Sequence, residues 1–211
     1  MGITRELEIA NRTLLIEEHE NITDPLTGKE AAGCWTWDCS MVLAYYLTTP
    51  NWPPSSFYAK TVIELGAGTG VPGLTAALLG ANVILTDLPP LLPGLQKNVD
   101  KNDLRDKVIV KELIWGEDCS FSDLGLSQPV DYVLMSDLLY DVNSMPALCK
   151  TLKHISDGHT QILLAYELRY GTTECFKALK ERGFRWAKVA QEDLDPEWQS
   201  EDIAGAVNGY P

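Results

Sequence analysis

The sequence predicts an α/β fold in which helices cover both faces of a twisted, mostly parallel sheet. Three observations support this prediction. Short runs rich in β-branched residues alternate with helical patterns from residue 60 onward, which is typical of a parallel sheet. A glycine-rich segment joins the first of these runs to the first helix after it. The composition, with 45% hydrophobic and 22% charged residues among 211, is that of one globular domain.

Residues 1–56 are predicted to form a hairpin, a helix and a Pro-rich connection. Residues 5–19 contain two segments of alternating apolar and polar residues around a short break, which favours a β-hairpin. Apolar residues recur at helical spacing over 37–47. Residues 48–56, TTPNWPPSS, contain too much proline for regular structure.

Residues 57–211 are predicted to form the core of the same single domain. The predicted strands are TVIELG from 61, NVILTD from 82, KVIVKELIW from 107, PVDYVLMSD from 129, TQILLAYEL from 160 and FRWAKVA from 184. The predicted helices are VPGLTAALLG from 71, LLPGLQKNVDKN from 91, MPALCKTLKHIS from 145 and ECFKALKERG from 174. This order places a helix between most pairs of consecutive strands, as parallel pairing requires.

The charge balance argues against several classes of partner. The chain has 17 Lys and Arg against 30 Asp and Glu, for a net charge of -13. A general affinity for nucleic acid or anionic membranes is therefore not expected, and a basic partner is favoured. The five cysteines have neither a CxxC nor a zinc-ribbon spacing, and we expect no metal. Neither a signal peptide nor a membrane-length apolar run is found, so a cytoplasmic or nuclear location is expected.

A glycine-rich turn, ELGAGTG at residues 64–70, follows the first strand of the core. Glycines let the backbone turn sharply and approach a ligand, and the free N–H groups of the following helix face that ligand. The turn therefore predicts a nucleotide-like ligand. Gly68 to Gly73 also satisfies GxGxxG, and Asp87 ends the next strand, as in a dinucleotide site.

Two features of the turn favour S-adenosylmethionine over a dinucleotide. The dinucleotide pattern begins directly after its strand, where Gly66 stands, and from there it fails because position 71 is valine. Glu64 would repel a pyrophosphate but suits the cationic amino group of S-adenosylmethionine. Asp87 can accept hydrogen bonds from the ribose of either ligand.

The motif SDLLYD, residues 136–141, follows a predicted buried strand. Ligands bind at the carboxyl ends of strands in open α/β sheets. If a helical turn begins near Leu138, Asp137 and Tyr140 project from one side of it, beside the glycine turn. Asp137 could instead be the N-cap of the following helix.

These motifs, with Trp37-Asp38, LTDL at 85–88, LIWGE at 113–117 and YELR at 166–169, resemble the small protein-lysine methyltransferases of the methyltransferase-like Family 16. The resemblance extends in order from about residue 5 to residue 203. It implies a Rossmann-like class I methyltransferase fold, with a seven-stranded, mostly parallel sheet and an N-terminal hairpin. The end of the chain departs from the family pattern, because two glycines and a terminal proline after residue 203 weaken a last strand.

The resemblance implies S-adenosyl-L-methionine as the cofactor and gives each motif a role. Asp137 and Tyr140 would be catalytic and would face the target lysine. The glycine turn would line the methionine end of the cofactor, with Asp87 at the ribose, Trp115 near the adenine and Trp37 closing the pocket. The candidate cofactor-binding residues are Trp37, Glu64, Gly66, Ala67, Gly68, Thr69, Gly70, Asp87, Leu88, Trp115 and Ser136. Both tryptophans could instead be core aromatics.

The implied substrate is a protein that presents a lysine, such as a chaperone, an ATPase or a translation factor, and the enzyme is expected to be a monomer. We hypothesise that Asp137 orients the lysine nitrogen and that Tyr140 supplies an aromatic wall. Two other functions stay open. One is methylation of a small-molecule amine, favoured if residues 35–55 close over the pocket. The other is cofactor binding without turnover.

Overall fold

The structure is a computed structural model that describes residues 2–18, 22–23, 28, 31–199 and 203–204. Its strands are β1 (Ile3–Ile9), β2 (Arg12–Glu18), β3 (Thr61–Leu65), β4 (Asn82–Asp87), β5 (Val108–Glu112), β6 (Tyr132–Ser136), β7 (Gln161–Glu167) and β8 (Ile203–Ala204). Its α-helices are α1 (Asp38–Thr48), α2 (Val71–Leu78), α3 (Leu92–Lys101), α4 (Met145–Ile155) and α5 (Thr172–Glu181).

The N-terminal hairpin pairs β1 with β2 in antiparallel register. Ala10 and Asn11 form its turn and both have a positive φ, as a two-residue type I′ hairpin turn requires. Side-chain amides in α3 and directly after it extend the outer edge of β2. Asn98 and Asn102 each bond to both the N–H and the C=O of one residue of β2, at distances of 2.8 to 3.2 Å. The predicted hairpin is confirmed for residues 5–18, and residue 19 lies outside the described residues.

The main sheet has the strand order β5-β4-β3-β6-β7-β8. Neighbouring strands from β5 to β7 are parallel, and β8 runs antiparallel to β7. The chain moves outward from β3 through β4 to β5 and then crosses to β6 on the other side of β3. The order therefore reverses between β3 and β6, which opens a crevice at the carboxyl ends of these two strands.

Helices cover both faces of this sheet, as predicted. Helices α1, α2 and α3 share one apolar core with alternate strand residues such as Val62 and Leu134. Helices α4 and α5 share a second core with the residues between them, such as Ile63 and Val133. Because side chains alternate across a strand, strands buried on both faces read as continuous apolar runs.

The prediction of a strand at residues 184–190 is wrong. Phe184 is buried in the second core and Trp186 packs against Phe176 with ring centroids 5.0 Å apart, but the segment contains only isolated bridge residues. Among residues 184–190 only Phe184 is buried, so the alternating apolar residues do not form a common buried face that would hold a strand against the sheet. Among the described residues the sheet has six strands instead of the expected seven, and β8 is only two residues long.

The described part of the chain contains no helix that is long and apolar enough to cross a membrane. Four of the five cysteines are buried.

Candidate active site

The predicted motifs meet at the crevice between β3 and β6. Leu65 is in register with Met135, so the glycine turn after β3 lies beside the SDLLYD segment after β6. The two segments are in contact. A Cβ atom at Gly66 would lie 2.8 Å from Cδ2 of Leu138 and 3.3 Å from Cζ2 of Trp115. The structure thus places Trp115 at the turn, and its ring also packs against the second core.

The glycine turn needs its glycines for both conformation and space. Gly66, Gly68 and Gly70 have φ of +55°, +54° and +83°, a left-handed region that disfavours other residues. A Cβ atom at Gly68 would approach the carbonyl oxygen of Gly33 to 3.0 Å. Between the glycines, Ala67 donates its N–H to the Thr86 carbonyl at 2.9 Å. The turn is therefore a narrow backbone bend that opens into α2.

Glu64 lies beneath this turn and is completely buried. Its Oε2 accepts the N–H of Gly73, in the first turn of α2, at 2.8 Å. Its Oε1 is a buried side-chain oxygen for which the described residues supply no hydrogen bond. Burial, and secondarily the negative charge of Asp87, raises the pKa of Glu64 well above its ordinary value. In this conformation Glu64 holds the helix start and does not line the surface of the crevice.

Asp87 ends β4 next to the turn and ties the two segments together. Its carboxylate accepts the N–H of Gly68 and the N–H of Leu88, both at 2.7 Å. Burial raises the pKa of Asp87, and these two hydrogen bonds oppose the increase. A carboxylate fixed in this way retains lone pairs for ligand hydroxyl groups.

The N-terminal segment covers the turn from the other side. The hydroxyl groups of Thr36 and Thr69 are 3.2 Å apart. The buried carboxylate of Glu18 accepts the N–H of Thr36 at 2.9 Å. Trp37 donates its indole N–H to the Ala32 carbonyl at 2.9 Å, and 43% of its surface is exposed. The core-aromatic alternative is therefore wrong for Trp37.

Asp137 has an unusual backbone and several partners. Its φ is +57°, and residues in such strained conformations concentrate at functional sites. Its Oδ2 is 2.8 Å from Nη1 of Arg169, and only 10% of its side chain is exposed. Burial raises the pKa of Asp137, whereas Arg169 and the thiol of Cys39 oppose the increase.

The local structure after β6 differs from one expectation. Residues 139–140 form a non-helical turn, and the next helical segment is a 3-10 turn at Val142–Ser144. The turn near Leu138 is therefore short and does not continue into a helix. Asp141 caps the 3-10 segment by accepting the N–H of Asn143, so the N-cap alternative for Asp137 is wrong. Leu138 and Leu139 are buried, whereas Tyr140 is 56% exposed and stands at the rim of the site.

Arg169 is the site residue whose role sequence reasoning missed. It follows β7 and donates to Glu167 as well as pairing with Asp137. Its guanidinium carbon lies 5.7 Å from the centre of the Trp37 ring, within cation–π range. Its position just after a parallel strand was the available signal. The remaining predicted residue, Ser136, is the last residue of β6.

The charges described at the crevice are mainly carboxylates. Glu64, Asp87 and Asp137 line or underlie it, and Arg169 is already engaged by two acidic side chains. Such a site fits a ligand with cationic groups and disfavours a pyrophosphate. The fold and the site together define an α/β protein that binds a cationic nucleoside cofactor at the switch point of its sheet.

Comparison with known proteins identifies the family. A family model described as lysine methyltransferase matches residues 17–182, and the chain belongs to this family. It is 43% identical over 143 residues to the protein N-lysine methyltransferase METTL21A of Danio rerio, and the match covers 66% of this chain and 63% of that protein. The METTL21A protein of Mus musculus is 36% identical over 164 residues, covering 76% of this chain and 71% of that protein.

The chain thus spans less than two thirds of the length of the Danio rerio relative. Among solved structures, the glycopeptide N-methyltransferase MtfA superposes with a TM-score of 0.63 at 14% identity, covering 84% of this chain and 92% of that one. This similarity supports the fold alone. The predictions of the family and of the Rossmann-like α/β fold are confirmed.

Proposed function

We propose that this protein transfers methyl groups from S-adenosyl-L-methionine to a lysine side chain of a protein substrate. The observation that carries the proposal is the position of Asp137. Its carboxylate stands at the carboxyl end of β6, beside the glycine turn, in a strained backbone conformation. Membership of the lysine methyltransferase family confirms the predicted cofactor.

The turn and its neighbours would hold the cofactor. Asp87 is placed to accept hydrogen bonds from ribose hydroxyls, and Trp115 offers an aromatic surface next to Gly66. Glu64 lies beneath the turn, where it fixes the start of α2 by accepting the Gly73 N–H. The bound cofactor supplies an electrophilic methyl group on a positive sulfur.

Asp137 would accept a hydrogen bond from the lysine nitrogen. This bond would aim the lone pair of the nitrogen at the methyl group of the cofactor. Methyl transfer is a direct displacement, so holding the two reactants close and in line provides most of the rate gain. The lysine must first lose a proton to water, because only on the order of one free lysine in a few thousand is neutral at pH 7. Tyr140 would form an aromatic wall that attracts the methylated ammonium.

Exposed apolar side chains around the crevice favour a protein substrate over a small amine. Trp37, Tyr140, Leu168 and Tyr170 are all exposed large hydrophobic residues, and they lie on the segments that surround Asp137. A pocket built for a small amine would be expected to bury such groups around its ligand. The specific targets expected are a chaperone, an ATPase or a translation factor, methylated by a monomeric enzyme in the cytoplasm or nucleus.

Transfer of a radiolabelled methyl group into a soluble protein extract tests the proposal. After incubation with the enzyme and labelled S-adenosylmethionine, we expect one strongly labelled protein band that is absent when enzyme is omitted. Label confined to the small-molecule fraction would instead support a small-amine substrate. Cofactor binding without label in either fraction would indicate a protein without turnover.

A further inference from the structure

Arg169 occupies a position that matters for the chemistry at Asp137. Its Nη1 is 2.8 Å from Oδ2 of Asp137. The guanidinium is also held by Glu167 and by the face of the Trp37 ring. About a third of its side chain is exposed, at 32%. Glu167 and Trp37 thus hold the guanidinium of Arg169 against the carboxylate of Asp137.

We infer that Arg169 is a positioning residue that lets Asp137 orient the substrate lysine without stabilising its protonated form. This inference rests on the proposed function. A lone carboxylate would attract a lysine ammonium and raise its pKa, which would slow a reaction that needs the neutral amine. A cation paired with that carboxylate cancels most of this effect. The Asp137 carboxylate can still accept a hydrogen bond from the neutral amine.

The surrounding charged and titratable groups are consistent with this role. Glu167 contributes a second negative charge from the end of β7, but its side chain is 42% exposed, so solvent screens it. Cys39, from α1, is close to Asp137, and burial, with a further contribution from Asp137, raises the pKa of this thiol and keeps it protonated. Arg169 is therefore the cation that offsets the charge of Asp137.

The pairing also fixes the direction of the Asp137 side chain. One carboxylate oxygen, Oδ2, faces Arg169, which leaves Oδ1 as the better acceptor for a substrate nitrogen. Trp37 restrains the guanidinium from its other side. The exposed indole of Trp37 would then act on the lysine through Arg169, in addition to any contact with the cofactor.

The pH dependence of turnover tests this inference. The substrate is the extract protein in the band labelled by the wild type, purified and used at saturation. In the pH profile of kcat, the rising part has an apparent pKa. Removing the cation in Arg169→Gln is expected to raise this pKa by about one unit or more. Arg169→Lys retains the charge and should keep this pKa near its wild-type value. Arg105→Gln, which removes an exposed Arg–Asp pair before β5, is the control and should leave the profile unchanged.

A uniform fall in kcat at every pH, without a shift of this apparent pKa in Arg169→Gln, would overturn the inference. If the wild type labels no protein, the proposed function itself fails. The titration of the Asp137 carboxyl carbon by NMR then still decides the role of Arg169, with Asp137→Asn used to assign the signal. We expect the pKa of Asp137 to be higher by about one unit in Arg169→Gln, and an unchanged pKa would contradict the pairing.

Discussion

Asp137 combines three properties that a surface aspartate lacks. Its backbone is left-handed, its carboxylate is mostly buried, and its charge is balanced by a neighbouring cation. A left-handed conformation costs a non-glycine residue roughly 1 to 2 kcal/mol, and Asp and Asn tolerate it best. Asn is therefore the substitution that removes the charge with the least structural change.

We predict that Asp137→Asn lowers kcat by about 100-fold or more, because the neutral amide loses the ion pair with Arg169 that aims the side chain and such preorganisation at the reacting centre is worth that much. The dissociation constant for S-adenosylhomocysteine, measured by calorimetry, should change by less than about threefold, roughly 0.7 kcal/mol. Asp141→Asn is the matched control, since Asn can replace Asp as a cap. Loss of cofactor binding in Asp137→Asn would indicate a structural role instead.

Gly68 has a conformational and a steric reason to be glycine. We predict that Gly68→Ala destabilises the protein by about 1 to 2 kcal/mol and weakens S-adenosylhomocysteine binding at least tenfold, because the new methyl group meets the Gly33 carbonyl oxygen at 3.0 Å. Thermal unfolding and calorimetry measure the two effects. Gly158→Ala is the control, because no atom lies within 4 Å of its Cβ position. Equal behaviour of the two variants would refute the packing described for the turn.

The sequence predicted those site residues whose role follows from the local structure of the segment that contains them. The glycine turn was predictable because the bend requires positive φ, and Asp137 was predictable because it stands directly after a buried strand. Arg169 and Gly33 escaped prediction because their roles arise from contacts with distant segments, Asp137 and Gly68 respectively. The position of Arg169 after a strand can be read from the sequence, but the identity of its partner cannot.

At the scale of elements, β3 and α2 form a unit whose junction depends on Glu64. Its carboxyl group is fully buried, and one oxygen caps the start of α2. Its pKa is raised in the folded state, so the folded protein binds this proton more tightly than the unfolded chain does. The stabilising contribution is complete below the ordinary pKa of 4.5 and is lost as pH rises through the higher folded pKa.

We predict that Glu64→Gln reduces this pH dependence, because glutamine retains an acceptor for the Gly73 N–H and cannot ionise. Denaturant unfolding of both proteins at several pH values above 4.5 should show the free energy of unfolding of the wild type falling, relative to that of the variant, as pH rises. Parallel curves over this range would mean that Glu64 does not titrate with a raised pKa.

The strands and helices of the core were the most predictable elements. Their apolar runs and helical periods are intrinsic to each segment, and the bounds differ from prediction by a few residues. The prediction for residues 184–190 failed because alternation of apolar and polar residues does not show whether the apolar side chains are buried, and here only Phe184 is. Burial is a property of the whole fold, which one segment does not encode.

At the scale of the whole molecule, the hairpin is bound to the side of the core that carries the glycine turn, through Asn98 of α3 and Asn102 directly after it. Both bond to the edge of β2, but only Asn98 also donates to the Thr69 carbonyl, at 3.1 Å. Glu18 adds a second connection, from β2 to the segment that precedes Trp37. The N-terminal region is thus coupled to the glycine turn.

We predict that Asn98→Ala and Asn102→Ala each destabilise the protein by about 1 kcal/mol, because each leaves partly buried backbone groups of β2 without their partners. Only Asn98→Ala should also weaken S-adenosylhomocysteine binding, several-fold, since it alone releases the turn. Denaturant unfolding and calorimetry distinguish the two effects. Equal cofactor affinity in the two variants would show that the hairpin and the turn are not coupled through Asn98.

In the proposed reaction, the crevice presents a lysine amine, held by Asp137, to a methyl donor at the glycine turn. Mass spectrometry of an extract treated with the enzyme and S-adenosylmethionine carrying a deuterated methyl group tests this most directly. We expect the deuterated methyl on a lysine side-chain nitrogen of one protein, and its loss with Asp137→Asn. Label on another type of side chain, or equal label with Asp137→Asn, would contradict the account.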